Sequence, residues 1–124
     1  MIDSSDIVAR YVALWNEPDA DERRTAIVAL WAEDGVHYAP SHTCQGYTAI
    51  EARVTGAYER FVGSGDYVFR HAGNVETHHN VMRFNWLMIP AKGGAPAAKG
   101  FDLFVLGDDG RIQADYQFND PLPQ

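Results

Sequence analysis

The stretch Phe61-Val62-Gly63-Ser64-Gly65-Asp66-Tyr67-Val68-Phe69 divides the sequence into two kinds of pattern. Before it, apolar residues recur at the three- and four-residue spacings of helices. After it they crowd into short β-branched and aromatic runs separated by turn residues. Gly63-Ser64-Gly65 ends the helical pattern, because two glycines there carry no helical preference. Working back, Ile50, Val54, Tyr58 and Phe61 fall on one side of a helix that Thr48 and Glu51 would open as a capping box. Ile27, Val28, Leu30 and Trp31 give a second helix, opened by Asp19 with Glu22 and closed at Gly35. Ile7, Val8, Tyr11, Val12, Leu14 and Trp15 give a first helix, with Asp3 or Ser4 as its cap and Pro18 beyond its end. Val36 to Pro40 reads as a short extended segment and Ser41 to Gly46 as loop.

Working forward, Tyr67 to about Thr77, Val81 to about Ile89, Lys99 to Leu106 and Arg111 to about Asn119 are strand candidates. Asp108-Asp109-Gly110 supplies a tight hairpin turn, and Pro90 to Ala98 a longer loop. Three helices followed by a meander of strands predict an α+β fold, with the helices covering one face of a curved antiparallel sheet. No linker or repeat interrupts residues 1–124, which read as a single domain.

Composition narrows the function. The chain has 124 residues, 46% of them hydrophobic and 12% aromatic, and a net charge of -7. A domain of this size buries roughly two-thirds of the surface of its unfolded chain, enough for a core without staples. The lone Cys44 excludes an internal disulfide and fits a reducing cytoplasm. Ten dispersed cations against seventeen acids disfavour nucleic-acid partners and anionic membrane surfaces. No apolar run is long enough to span a bilayer, and the acidic start, Met1 to Asp6, does not read as a secretory leader. Without HExxH or paired CxxC spacing, no metal site is expected.

Several segments carry a resemblance. Val8-Ala9-Arg10-Tyr11-Val12-Ala13-Leu14-Trp15-Asn16 and Ile27-Val28-Ala29-Leu30-Trp31-Ala32-Glu33-Asp34 resemble the opening of ketosteroid isomerase. Gly46-Tyr47-Thr48-Ala49-Ile50, Phe101-Asp102-Leu103-Phe104 and Asp109-Gly110-Arg111-Ile112 resemble later segments of the same superfamily. Residues 5 to 119 are thus similar to the nuclear transport factor 2-like superfamily, which includes SnoaL-like polyketide cyclases. The resemblance implies a cone-shaped fold and a cofactor-independent isomerase, cyclase or dehydratase acting on a small apolar or polycyclic carbonyl substrate. It also implies a homodimer through the open face of the sheet, with Phe69, Leu87 and Ile89 as candidate interface residues.

In ketosteroid isomerase a carboxylate removes a proton next to a ketone, while a tyrosine and a protonated aspartic acid hydrogen-bond the enolate oxygen. By the resemblance the tyrosine falls on Tyr11, the aspartic acid on Asp102 and the base on Ala39, which has no proton to move. Asp115 lies on the strand that carries the acid/base aspartate of SnoaL-like cyclases, with Gln117 beside it, and is one replacement. His37 and His42, which flank Ala39, are others. Strand alternation opposes Asp115, since it groups Gln113, Asp115, Gln117 and Asn119 on a polar face opposite Ile112, Ala114, Tyr116 and Phe118. For Asp102, set in an apolar strand, the alternative to a neutral buried acid is a sheet-edge ion pair with a residue such as Arg83. Trp15, Trp31, Tyr38, Phe61, Met82, Phe84 and Trp86 are candidates to line a ligand cavity, or else plain core. The loss of the base at Ala39 leaves a second reading open, a non-catalytic ligand-binding or dimerisation module on the same fold.

Overall fold

The computed structural model describes residues 4–121. Helices α1 (Ser4–Asn16) and α2 (Ala20–Leu30) lead into the hairpin β1 (Trp31–Ala39) and β2 (His42–Gln45). Helix α3 (Gly46–Ala57) follows, and its last turn, Tyr58–Val62, widens to π geometry. Strands β3 (Tyr67–His71), β4 (Glu76–His78), β5 (Val81–Pro90), β6 (Ala98–Leu106) and β7 (Ile112–Asn119) complete the chain. The sheet runs β2-β1-β7-β6-β5-β3, with β4 paired to β5. The α+β class and the helices against a curved sheet stand, but the sheet is mixed: β1 runs parallel to β7, while the other pairs are antiparallel.

The differences from the sequence pattern have local causes. Helix α2 stops at Leu30, and Trp31 begins a strand, so Gly35 closes no helix. Gly35 sits at an irregularity between β1 and β7, where an added Cβ would lie 2.9 Å from the carbonyl oxygens of Ala32 and Ile112. Residues 42–45, read as loop, pair with β1. Thr48 and Glu51 lie inside α3, whose cap is Gln45 without a side-chain bond. The long strand expected over 67–77 is two strands, because Ala72 to Val75 leave the ladder. Asp3 lies outside the described residues, so the cap expected at Asp3 or Ser4 is left aside.

The start of α2 is as the sequence has it. The Asp19 carboxylate accepts the amides of Asp21 at 2.8 Å and Glu22 at 3.1 Å, meeting two donors that helix geometry leaves without partners. Asp19→Ala is expected to lower unfolding stability by about 1 kcal/mol, read as a shift in the urea midpoint at unchanged slope.

The core lies between helices and sheet. Trp31, Phe84, Phe104, Ile112, Ile50 and Val54 are fully enclosed there. No helix among the described residues is long and apolar enough to cross a membrane.

Candidate active site

Tyr11 projects from α1 into this core, where its ring packs against Trp15, Trp31, Phe84 and Phe104. Its hydroxyl stands between two carboxyl groups, 3.0 Å from Asp102 Oδ2 and 2.6 Å from Asp115 Oδ2. On the far side, His37 Nδ1 lies 2.8 Å from the same Asp115 oxygen. Asp102, Asp115 and His37 are each at most 2% exposed. Four strand and helix positions, distant in sequence, thus form one hydrogen-bonded line: Asp102, Tyr11, Asp115, His37.

Asp115 reaches this place through a β-bulge. In β7, Ile112 pairs with Leu106 and Ala114 with Val105, so Gln113 is an extra residue in the ladder. One extra residue inverts the faces of all that follow. Asp115 therefore points inward opposite Phe104, and Tyr116 and Phe118 point outward. The alternation that set Asp115 on a solvated face is thereby overturned. Asp102 likewise has no ion pair with Arg83, whose guanidinium lies over the Phe101 ring at 4.6 Å.

A tyrosine hydroxyl holds one proton, so it cannot donate to both carboxyls. Burial raises the Asp102 carboxyl well above the ordinary range, and the charge and hydrogen bond of Asp115 raise it further. Asp115 is raised by burial to about 6, against the opposing hydrogen bonds of Asp102 and Tyr11 and the charge of Arg53. Burial above all lowers His37 to about 4, aided by Arg53 and opposed by Asp102. Tyr11 is raised well above its usual value by burial, then by both carboxylates. At neutral pH these directions give one proton arrangement. Asp102 is the neutral acid, Tyr11 donates to an ionised Asp115, and a neutral His37 donates from Nδ1 to that carboxylate.

A cavity of about 560 Å³ adjoins one end of the line. Tyr11 and Asp102 form part of its wall, with Trp15, Phe61, Trp86 and Gln117. Asp115 and His37 are not among its lining residues; they sit behind Tyr11. Trp31, Met82 and Phe84, proposed as lining, are core residues away from this wall, and Tyr38 stacks on Tyr116. His42 stands apart on β2, beside a second cleft of about 500 Å³ that it shares with Cys44. Its imidazole is lowered first by Arg53, then by burial. Ala39 pairs with His42 at the end of β1.

The pattern of apolar spacing passed over Arg53 and Arg60 on the cavity wall, and Phe69, expected at the interface of the sheet, lines the cavity instead. For Arg53 a signal existed. It falls between Ile50, Val54 and Ala57, the buried side of α3, and a cation on such a stripe is unusual.

Among the described residues, His37, Asp102 and Asp115 are the group whose ligand atoms come within 4.8 Å of one another, as a shared cation would require. Such a cation needs all three deprotonated. Burial raises the Asp102 carboxyl, so a cation there would have to displace its proton.

Comparison with known proteins gives the site its context. Residues 8–114 match the model of the SnoaL-like domain family. Among solved structures, a "putative isomerase of the SnoaL-like family" from Agrobacterium tumefaciens is 33% identical, with a TM-score of 0.86 over 95% of this chain and 97% of that one. A "putative polyketide cyclase" from Sinorhizobium meliloti shares the fold at 20% identity and a TM-score of 0.70, covering 94% and 100% of the two chains. A SnoaL-like protein of unknown function from Burkholderia thailandensis does so at 17% and 0.72, covering 95% of each. No curated protein matches the chain. With the family model spanning most of the sequence, and a relative one-third identical along nearly its whole length, this chain belongs to the SnoaL-like domain family.

Proposed function

We propose that this protein is a small-molecule enzyme that moves protons at carbon next to a carbonyl, as an isomerase, cyclase or dehydratase does. The observation that carries the reading is the buried line Asp102, Tyr11, Asp115, His37, of which only Tyr11 and Asp102 line the cavity. A buried neutral acid at the wall of an apolar cavity is a hydrogen-bond donor to an oxygen that gains charge. Asp102 serves that role at the substrate's carbonyl. Asp115, raised to about 6, is ionised at neutral pH yet basic enough to take a proton. Tyr11 links it to the substrate. As the carbon proton passes to the Tyr11 oxygen, the phenolic proton passes to Asp115. The reverse transfer to another carbon completes an isomerisation. His37, neutral and donating to Asp115, fixes the orientation of that carboxylate. Asp115 thus stands in for the base that Ala39 cannot be.

The test is wash-out of deuterium from carbon next to the carbonyl in a panel of cyclic and aryl ketones, followed by proton NMR. Wild-type protein is expected to speed exchange for at least one ketone, and Tyr11→Phe to slow it by about 100-fold, since the relay is lost. Exchange by Tyr11→Phe at the wild-type rate would refute the relay.

The outer face of the sheet supports a homodimer. The bulge turns Phe118 and Tyr116 outward, 46% and 39% exposed. Phe118 stacks on Phe101 at 4.6 Å and Tyr116 on Tyr38 at 4.8 Å. Contiguous aromatic surface of this kind is matched by a second copy across a two-fold axis. Leu87 belongs to this outer face by its register opposite Lys99, whereas Phe69 lines the cavity. Sedimentation is expected to give a dimer at micromolar concentration and a monomer for Phe118→Lys; a monomeric wild type would refute the interface.

A further inference from the structure

The cavity carries charge opposite to that of the molecule. The chain has a net charge of -7, yet Arg53 and Arg60 line the cavity against the acids Asp102 and Asp120. The Asp102 proton, held by burial, leaves Asp120 as the carboxylate on a wall that carries two guanidinium groups. Among the described residues neither of these two arginines forms an ion pair. A cluster of unpaired cations in an acidic protein concentrates field at the cavity and draws anions into it.

Arg53 is built to receive one. Its guanidinium rests on the Trp15 ring at 5.5 Å, and Nη2 donates to Gln117 Oε1 at 3.3 Å. Trp15 and Gln117 therefore hold the group from two sides. Its Nε is buried and makes no hydrogen bond within the protein. Trp15 Nε1 and Trp86 Nε1, indole donors of two further wall residues, are buried without partners in the same way. Unmet buried donors are costly, and each calls for an explanation such as an acceptor the protein itself does not supply. Stacked and partly bonded, a guanidinium keeps a fork of N–H groups that matches a carboxylate. Around it Trp15, Phe61 and Trp86 give apolar surface for a flat body.

We propose that the ligand of this cavity is a carboxylate-bearing molecule with a flat apolar body, its carboxylate held by Arg53, its carbonyl at Asp102 and the carbon beside that carbonyl at Tyr11. This rests on the reading of the cavity as the substrate site and names the class of substrate. Arg60 contributes attraction at longer range, and Arg53 makes the contact.

The experiment is calorimetric titration of the wild-type chain with naphthoate and with naphthamide, which share a body and differ in charge. Naphthoate is expected to bind at least about 10-fold more tightly, and the advantage to shrink as salt rises from about 0.05 to about 0.5 M. In Arg53→Gln the advantage should vanish while naphthamide affinity stays within about two-fold, and Arg53→Lys should keep part of it. Equal binding of acid and amide by the wild type, or binding of neither, overturns the proposal. So does an Arg53→Gln variant, folded by circular dichroism, that weakens both ligands alike. Should that variant fail to fold, the acid-to-amide ratio of the wild type and its salt dependence decide alone. Proton exchange on neutral ketones with no carboxylate preference would sink this inference and spare the catalytic reading. Carboxylate preference without exchange on any ketone would do the reverse.

Discussion

Asp102→Ala is expected to lower turnover of a responsive ketone by about 1000-fold with the fold intact. The carboxyl lines the cavity and is 2% exposed, bonded to Tyr11. As a neutral acid it is the donor nearest a developing oxyanion. Removing one such donor from an enclosed site costs about 100- to 1000-fold, because no water replaces it with the same orientation. The loss should fall on kcat more than on KM, since the bond strengthens as charge develops. Stability should change little or rise, because alanine has no polar group to bury there. Asp102→Asn keeps a donor of similar shape and should recover part of the rate. An Asp102→Ala variant with wild-type kcat would remove Asp102 from the chemistry.

The second large effect concerns Asp115, for which rate and stability should move in opposite directions. Its ordinary value of 3.8 is raised to about 6 in the folded protein. Between those two values the unfolded chain releases a proton that the folded protein keeps. Stability therefore falls as pH rises from about 4 to about 6 and stays lowered above that window. At about 1.4 kcal/mol for each pH unit between the two values, the ionised carboxylate costs on the order of 3 kcal/mol at neutral pH. Asp115→Asn removes that cost, so at pH 7 the variant should be more stable by up to this amount, on the order of 10 °C in Tm. Below about pH 4 the two proteins should converge. His37 acts in the other sense. Lowered from 6.5 to about 4, it takes up a proton first in the unfolded chain, so its contribution is lost as pH falls through that window. Because both proteins contain His37, the difference between their pH profiles reports the coupled pair Asp115 and Asp102, whose carboxyl the charge of Asp115 helps to raise. The same substitution should reduce turnover by about 100-fold, because the relay loses its acceptor. A stabilised, inactive variant is what a strained catalytic carboxylate produces. Equal stability of the two proteins at pH 7 would mean that the carboxylate is not held at a cost.

The fold was largely legible because its main signals are local. Apolar spacing in residues 7–15 marks α1, and Asp108-Asp109-Gly110 marks the last hairpin, where Gly110 has a φ of 82°. Where local signals mislead, tertiary pairing overrides them. Trp31 fits the apolar stripe of α2, yet pairing with Ile112 draws it into β1. Residues 42–45 are polar and short, and become a strand because β1 offers them an edge. For the site, Tyr11 and Asp102 were reached through resemblance, and their 3.0 Å hydrogen bond brings them together across 91 residues. Asp115 stood against its own strand's alternation, since a bulge is a property of two strands and is invisible in either alone. Arg53 stands on the buried stripe of α3, a signal that marks it as unusual, but only the fold shows the tryptophan and glutamine that hold it.

By itself the sequence determined the elements and their class, since backbone preference and apolar periodicity are written residue by residue. It also determined which side chains were available for chemistry. The tertiary structure alone decided which of them meet. Only packing places Asp102, Tyr11, Asp115 and His37 in one line, with Arg53 on the cavity wall beside it. The physical reason is that a carboxyl's protonation and a cation's availability are set by burial and neighbours within a few ångströms. Those neighbours are fixed by sheet register, and a single extra residue at Gln113 is enough to change them.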